Sequence, residues 1–203
     1  MLQGKRPGTT MRSCLEFVLH AHLPVACGDA EKALRLYRLF AREYAYDYEI
    51  FADTKRLLEE GGAYRTLMTG QGICQEIAPA YNYLLLQAGV DAGICSGMRE
   101  NGESHEWSIV KLDGTYYYVD PTYAISSPDT LRYFGMTEAE RIKQGDFQPD
   151  TLWAFVIGEI KAQTLDVTNE TFKPLWSCRD YDIGHHELLY RDSSGQQHTM
   201  KLE

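Results

Sequence analysis

GQGICQEIAPAYNYLLLQAGV, residues 70–90, is the stretch from which the rest of the chain can be read. A small-residue loop (Gly70, Gln71, Gly72) leads into Cys74, and the apolar-rich run behind it predicts a helix that Gly89 should end. A thiol in the first turn of a helix meets free backbone N–H groups and the positive end of the helix dipole. Both lower its pKa, and the same N–H groups can donate to an oxyanion. Cys74 is therefore a candidate nucleophile, weighed against the commoner fate of a free cysteine as a small buried hydrophobe.

Upstream, Asp29 precedes an amphipathic helix over 30–45, in which Leu34, Leu36, Tyr37, Leu39, Phe40 and Tyr44 recur at helical spacing. Tyr46-Asp47-Tyr48 breaks that pattern. A second helix starts near Asp53, covers Lys55 to Glu60 and ends at Gly61-Gly62, and residues 63–73 read as a loop. Downstream of Val90 the period changes. Residues 91–99, 105–112 and 115–120 read as strands, with Asp113-Gly114 as a tight hairpin turn and Glu100 to Glu103 as a second turn. Beyond them the pattern gives a short helix at 137–144 capped by Thr137 with Glu140 as its reciprocal partner, a strand at 152–160, and a hairpin of 186–191 with 197–202. The fold class is α+β, a nucleophile-bearing helix followed by an antiparallel meander. Residues 29–203 read as one domain, with a core over 30–125 and an extension over 126–203; residues 1–28 have no clear role.

His105 opens the second strand and Asp120 closes the third. With a tight turn at Asp113-Gly114 the two strands pair antiparallel, and both residues fall near one end of the hairpin. His105 is then placed to act as general base and acid, and Asp120 to orient its imidazole. Each alone has an ordinary reading, a surface or core histidine and a strand-ending aspartate before proline. A nucleophile at a helix start, with base and orienter on matching hairpin ends, is specific chemistry.

Composition bounds the partners. The chain has 203 residues and a formal charge of −9 with no basic run, which weighs against nucleic acid. Five scattered cysteines (14, 27, 74, 95, 178) without a C-x-x-C pair disfavour a disulfide framework or a structural zinc site. Lys5, Arg6 and Arg12 ahead of SCLEFVLHAHLPVAC have a faint look of a secretory leader, interrupted by Glu16, His20 and His22; the alternative is an amphipathic helix packed on the domain. Localisation stays open between the cytoplasm and export or the cell envelope. No stretch is long and apolar enough to span a membrane, and the sequence does not give an oligomeric state.

Gly72-Ile73-Cys74 with Ala78, Gly89, Gly97, His105-Glu106-Trp107 and Tyr117-Tyr118-Val119-Asp120-Pro121-Thr122 resemble the transglutaminase-like superfamily. The resemblance covers about residues 30–125, and Tyr46-Asp47-Tyr48 also looks like bacterial members of the group. It implies a papain-like core with Cys74 as nucleophile, His105 as general base and Asp120 as orienter. The implied reaction is acyl transfer from an amide through a thioester, on a peptide or protein substrate, to water or to an amine. It requires no metal and no cofactor. Two departures stand out. Ser108 follows Trp107 where the family often has Asn, and no Trp precedes Trp107 to help hold the oxyanion. Gln71, Tyr46, Tyr48 and Tyr64 are the substitute donors, a tyrosine being favoured; the gap puts crosslinking in doubt more than hydrolysis. A binding module that kept the fold without activity is the competing reading.

Trp107 shares a strand face with His105 and could wall the cleft; a peptide-processing enzyme should have an open cleft lined by Trp107 and tyrosines. Cys95 reads as core. Cys74, His105, Asp120 and Cys95 make a poor zinc set, and His185-His186, adjacent in a strand, should point to opposite faces and not share a metal.

Overall fold

The computed structural model describes residues 11–149, 152–156 and 165–202. Helices α1 (Met11–His22) and α2 (Asp29–Glu43) lead into a two-residue strand β1 (Ala45–Tyr46) and the short helices α3 (Tyr48–Ala52), α4 (Thr54–Glu60) and α5 (Ala63–Thr69). Strand β2 (Gln71–Gly72) pairs in parallel with β1, bringing Tyr46 opposite Gly72 at the mouth of α6 (Cys74–Gln87). The expected loop at 63–73 is thus partly helical. Helix α5 is two turns long and buries only Thr66 and Leu67, too brief a stripe for periodicity to reveal; Gly70, at φ 71°, ends it in the left-handed conformation.

Three antiparallel strands follow, β3 (Ala92–Met98), β4 (Ser104–Leu112) and β5 (Thr115–Val119), and β6 (Trp153–Val156) adds to β3, giving the order β5-β4-β3-β6. The β4–β5 turn has positive φ at both Asp113 and Gly114, as the sequence predicts. Strand β6 occupies part of the expected 152–160 strand; residues 157–160 lie outside the described residues. Helices α7 (Pro121–Ile125) and α8 (Glu138–Gly145), the latter capped by Thr137, lead towards a 3₁₀ turn (Lys173–Ser177). The C-terminal sheet β7-β8-β9 comprises Asp180–Ile183, Glu187–Arg191 and Gln197–Lys201. Strand β7 was not anticipated; the β8–β9 hairpin was.

Alternation along the central sheet divides the core in two. Ala92, Val110, Leu112, Tyr117 and Val119 face the main cluster, where α6 (Ile77, Tyr81, Leu84, Leu85) packs on α2 (Leu34, Tyr37, Phe40). Tyr81 donates to the Ala33 carbonyl at 2.9 Å and Asn82 to the Gly93 carbonyl at 2.7 Å, fixing α6 against both its neighbours. Leu15 and Val18 of α1 and Leu202 join the same cluster. Cys95, Trp107, Ile109 and Tyr118 face a second cluster with Met136 and Phe147. An antiparallel sheet with the Cys74 helix packed on it makes the fold α+β.

Candidate active site

Cys74 is the first residue of α6 and is 9% exposed, recessed but in reach of solvent. Its sulfur accepts from the backbone N–H of Glu106, the residue after His105, and from that of Gln75. These donors favour the thiolate, but burial outweighs them, and the Asp120 and Glu106 carboxylates add to its effect, so the thiol is pushed up. The sequence predicted a lowered value from the helix start alone. The tertiary environment reverses the sign, because desolvation penalises the anion more than the first helical turn stabilises it. The carboxyl of Glu106 is itself raised by burial.

Asp120 is fully buried and does two jobs. As N-cap of α7 its Oδ1 accepts the N–H groups of Thr122 at 3.0 Å and Tyr123 at 2.9 Å, with Pro121 in the first turn where no N–H is needed. Its Oδ2 lies 2.7 Å from His105 Nε2. The register pairs Ser108 with Val119, so His105 and Asp120 do end on the same end of the hairpin. The imidazole, 7% exposed, stacks on Tyr123 at 4.5 Å. With Nε2 engaged by a carboxylate, Nδ1 is the ring nitrogen left to exchange a proton.

Arg141 of α8 is a further member that the sequence did not reveal. It is fully buried, with Nη2 3.1 Å from Asp120 Oδ2. Its guanidinium lies 4.8 Å from the ring centres of Trp107 and Tyr123 and 4.6 Å from that of Phe147. None of its guanidinium nitrogens finds a well-aligned acceptor among the described residues. Burial pulls its pKa down while Asp120 opposes the fall. Nothing in an otherwise polar helix marked this arginine as inward-facing. Trp107 also differs from expectation. It is fully buried between His105 and the aromatic cluster, so it does not line an open cleft.

Among the oxyanion candidates, Tyr48 and Tyr64 are 75% and 55% exposed, and Gln71 is exposed in β2. Tyr46 is the one in electrostatic reach of the sulfur. Burial first, and then the neighbouring Cys74 and Tyr48, push its hydroxyl up to about 12, so it remains a donor at neutral pH. Tyr46 also packs on Tyr48 at 4.9 Å and Phe51 at 6.0 Å, making an exposed aromatic shelf beside the thiol.

A buried ion-pair network holds this shelf to the Cys74 helix, α6. Arg65 donates Nε to Glu76 Oε1 at 2.9 Å and Nη2 to Glu76 Oε2 at 2.6 Å, and reaches Asp47 Oδ2 at 2.8 Å. Glu76 also accepts from Gly62 N and Ile73 N, and Asp47 caps α3 through Glu49 N and Ile50 N. Burial opposes ionisation of both carboxyls, yet Arg65 and the backbone donors hold each below its usual range. Gly72 sits tightly against this network: a Cβ there would clash with Thr66 Oγ1.

The cysteines at 27, 74, 95 and 178 are free, and Cys95 is a core residue. Among the described residues, one group of three has metal-ligating side chains within reach of one another, Glu31, His185 and His186, remote in sequence from the Cys74 set. The strand argument against the histidine pair fails. The two precede β8 in a turn, and His186, at φ 64°, swings its ring to 3.7 Å from that of His185.

Residues 25–121 match the family model described as the transglutaminase-like superfamily. No curated protein matches the chain. Among solved structures, one described as a TGase is 13% identical with a TM-score of 0.43, covering 58% of this chain and 34% of its own. A candidate cysteine protease from Cytophaga hutchinsonii is 15% identical with a TM-score of 0.44, covering 55% and 37%. The chain thus spans little more than a third of the length of either. Cys74, His105 and Asp120 all fall in the matched span, so the part of the chain that carries them, residues 25–121, is similar to the transglutaminase-like superfamily.

Proposed function

We propose that this protein catalyses thiol-dependent acyl transfer on a carboxamide or peptide bond, with hydrolysis as the main outcome. The observation that carries the reading is the 2.7 Å contact of His105 Nε2 with the buried Asp120 carboxylate, beside a thiol at the start of α6. Asp120 holds the imidazole with Nδ1 free. His105 Nδ1 takes the thiol proton as Cys74 Sγ attacks the carbonyl carbon, then returns it to the leaving amine, giving a thioester and a free amine. Water, deprotonated by the same nitrogen, attacks the thioester and releases the acid and the thiol.

The raised thiol pKa supports attack by a thiol that gives up its proton to His105 during reaction, in place of a resting thiolate. The Glu106 and Gln75 N–H groups and the Tyr46 hydroxyl are the donors we assign to the developing oxyanion. Arg141 is a positioning residue, meeting the same Asp120 oxygen, Oδ2, as the histidine does. Substrate would approach over the Tyr46, Tyr48 and Phe51 shelf, a role that replaces the one expected of Trp107. The reading takes residues 29–203 as one domain and assigns no role to residues 1–28.

The test uses an N-acylated glutaminyl-glycine and a set of short peptides, followed by intact-protein and product mass spectrometry. The expected result is a covalent acyl adduct on Cys74 and a free acid product, both lost in Cys74→Ala and reduced at least about 10³-fold in His105→Ala. Added hydroxylamine separates the acceptors: a hydroxamate that outruns the acid would make the protein a transferase to amines. Wild type that forms no adduct and no product with any of these donors would leave a binding module.

A further inference from the structure

We infer that Glu31, His185 and His186 hold a divalent transition-metal ion of the zinc class, clasping the first turn of α2 to the turn between β7 and β8. Three features converge there. Glu31 is fully buried although it is the third residue of an amphipathic helix, and its carboxylate faces the C-terminal turn. Its Oε1 lies 3.6 Å from His185 Nδ1 and its Oε2 lies 3.8 Å from His186 Nδ1. The two imidazole ring centres lie 3.7 Å apart with the planes tilted by 31°, and one donor atom from each of the three residues falls within 4.8 Å of the others.

A tetrahedral ion with ligands about 2.0–2.1 Å away holds those ligands about 3.4 Å apart. Each imidazole is already within a few tenths of an ångström of that spacing from one carboxylate oxygen, His185 from Oε1 and His186 from Oε2, so a small shift brings both onto one ion. Two imidazoles and one carboxylate select zinc or its first-row neighbours over calcium or magnesium, which prefer oxygen. Each histidine is about half exposed, so solvent can supply a fourth ligand. The backbone pays for the pairing: His186 adopts a left-handed φ of 64°, uncommon outside glycine, and that conformation is what turns its ring onto its neighbour.

The surroundings pre-form the site. The His186 N–H donates to Glu31 Oε2 at 2.8 Å, and Arg35 donates Nε to Oε1 at 2.8 Å and Nη2 to the Gly184 carbonyl at 2.8 Å. Helix α2 therefore grips the turn before any ion arrives, and the second shell orients the carboxylate. The Arg35 charge also limits affinity, so the clasp is weaker than a cysteine-rich structural site. None of these residues belongs to the Cys74 site, so the clasp stands whether or not the thiol is active.

The test is titration of the full, reduced chain with zinc chloride by calorimetry, with thermal melts at each ratio. Wild type and Cys74→Ala should both bind one equivalent and melt higher as zinc is added. His185→Ala and His186→Ala, both at half-exposed positions, should fold with the metal-free melting temperature of wild type, bind zinc at least about tenfold more weakly, and lose the zinc-dependent rise. Zinc affinity unchanged in the double variant H185A/H186A would place the ion on the thiols and overturn the assignment. So would wild type that binds no zinc at all.

Discussion

Two side chains around Cys74, His105 and Asp120 contribute to the electrostatics of the group, and both can be interrogated one residue at a time. Cys74 is raised by burial and, in part, by the Glu106 carboxylate, so its alkylation by iodoacetamide should rise only above the ordinary thiol range. In Glu106→Gln one negative neighbour is gone, the thiolate is less opposed, and the apparent pKa falls; at pH 8 Cys74 should then react faster than in wild type. An unchanged rate would mean that desolvation alone sets the thiol. Arg141→Met keeps most of the volume and removes the cation beside Asp120. Breaking a buried pair from one side costs about 3–5 kcal/mol, which a urea melt would read. Loss of the cation also leaves Asp120 held less firmly against His105, so kcat should fall with KM little changed. A fall in stability with kcat unchanged would reduce Arg141 to packing.

At the scale of elements, the Cys74 helix is held by what precedes it. The Arg65 guanidinium ties the first turn of α6, through Glu76, to the cap of α3, through Asp47. Arg65→Ala leaves two buried carboxylates without their cation and should lower stability by about 3–5 kcal/mol. Arg65→Lys should rescue little of it, since an ammonium cannot span both oxygens of Glu76 and reach Asp47. Denaturant midpoints of the two variants measure this directly. Gly72→Ala tests the same junction by volume, forcing a methyl against the buried Thr66, and should cost about 1–3 kcal/mol. Equal midpoints for Gly72→Ala and wild type would show that Thr66 can move aside freely.

For the whole molecule, acid sensitivity follows from the same carboxylates. Asp47, Glu76 and Glu31 are held below ordinary values of 3.8 for Asp and 4.5 for Glu, so they release their protons more readily folded than unfolded. Their contribution is fully present above those unfolded values and is lost as pH falls through the lower folded ones. The urea midpoint should hold at neutral pH and drop progressively below about pH 4.5. In Arg65→Ala that slope should flatten, because the cation that depresses two of the three is gone. A wild-type midpoint that does not change down to pH 3 would contradict this.

Periodicity and turn chemistry were enough for most of the frame. The apolar spacing of 30–45 and 74–88, the alternation of 91–120 and the positive-φ turn at Asp113-Gly114 are local signals, and each element formed where its own residues dictate. Chain order also placed His105 and Asp120 together, because a two-residue turn leaves an antiparallel hairpin almost no freedom of register. What the sequence could not carry is anything set by contacts between distant segments. Helix α5 is too short to show a stripe, and β7 acquires its identity by pairing with β8. Arg65 and Arg141 look like surface arginines until the fold buries them. The sign of the Cys74 shift depends on how much water the packed core removes and on carboxylates brought close by β4 and the end of β5. The His185-His186 pair turns on one left-handed backbone angle, which tertiary packing against Glu31 sustains. Local stereochemistry is written in neighbouring residues, whereas desolvation and charge proximity exist only once the chain has closed on itself.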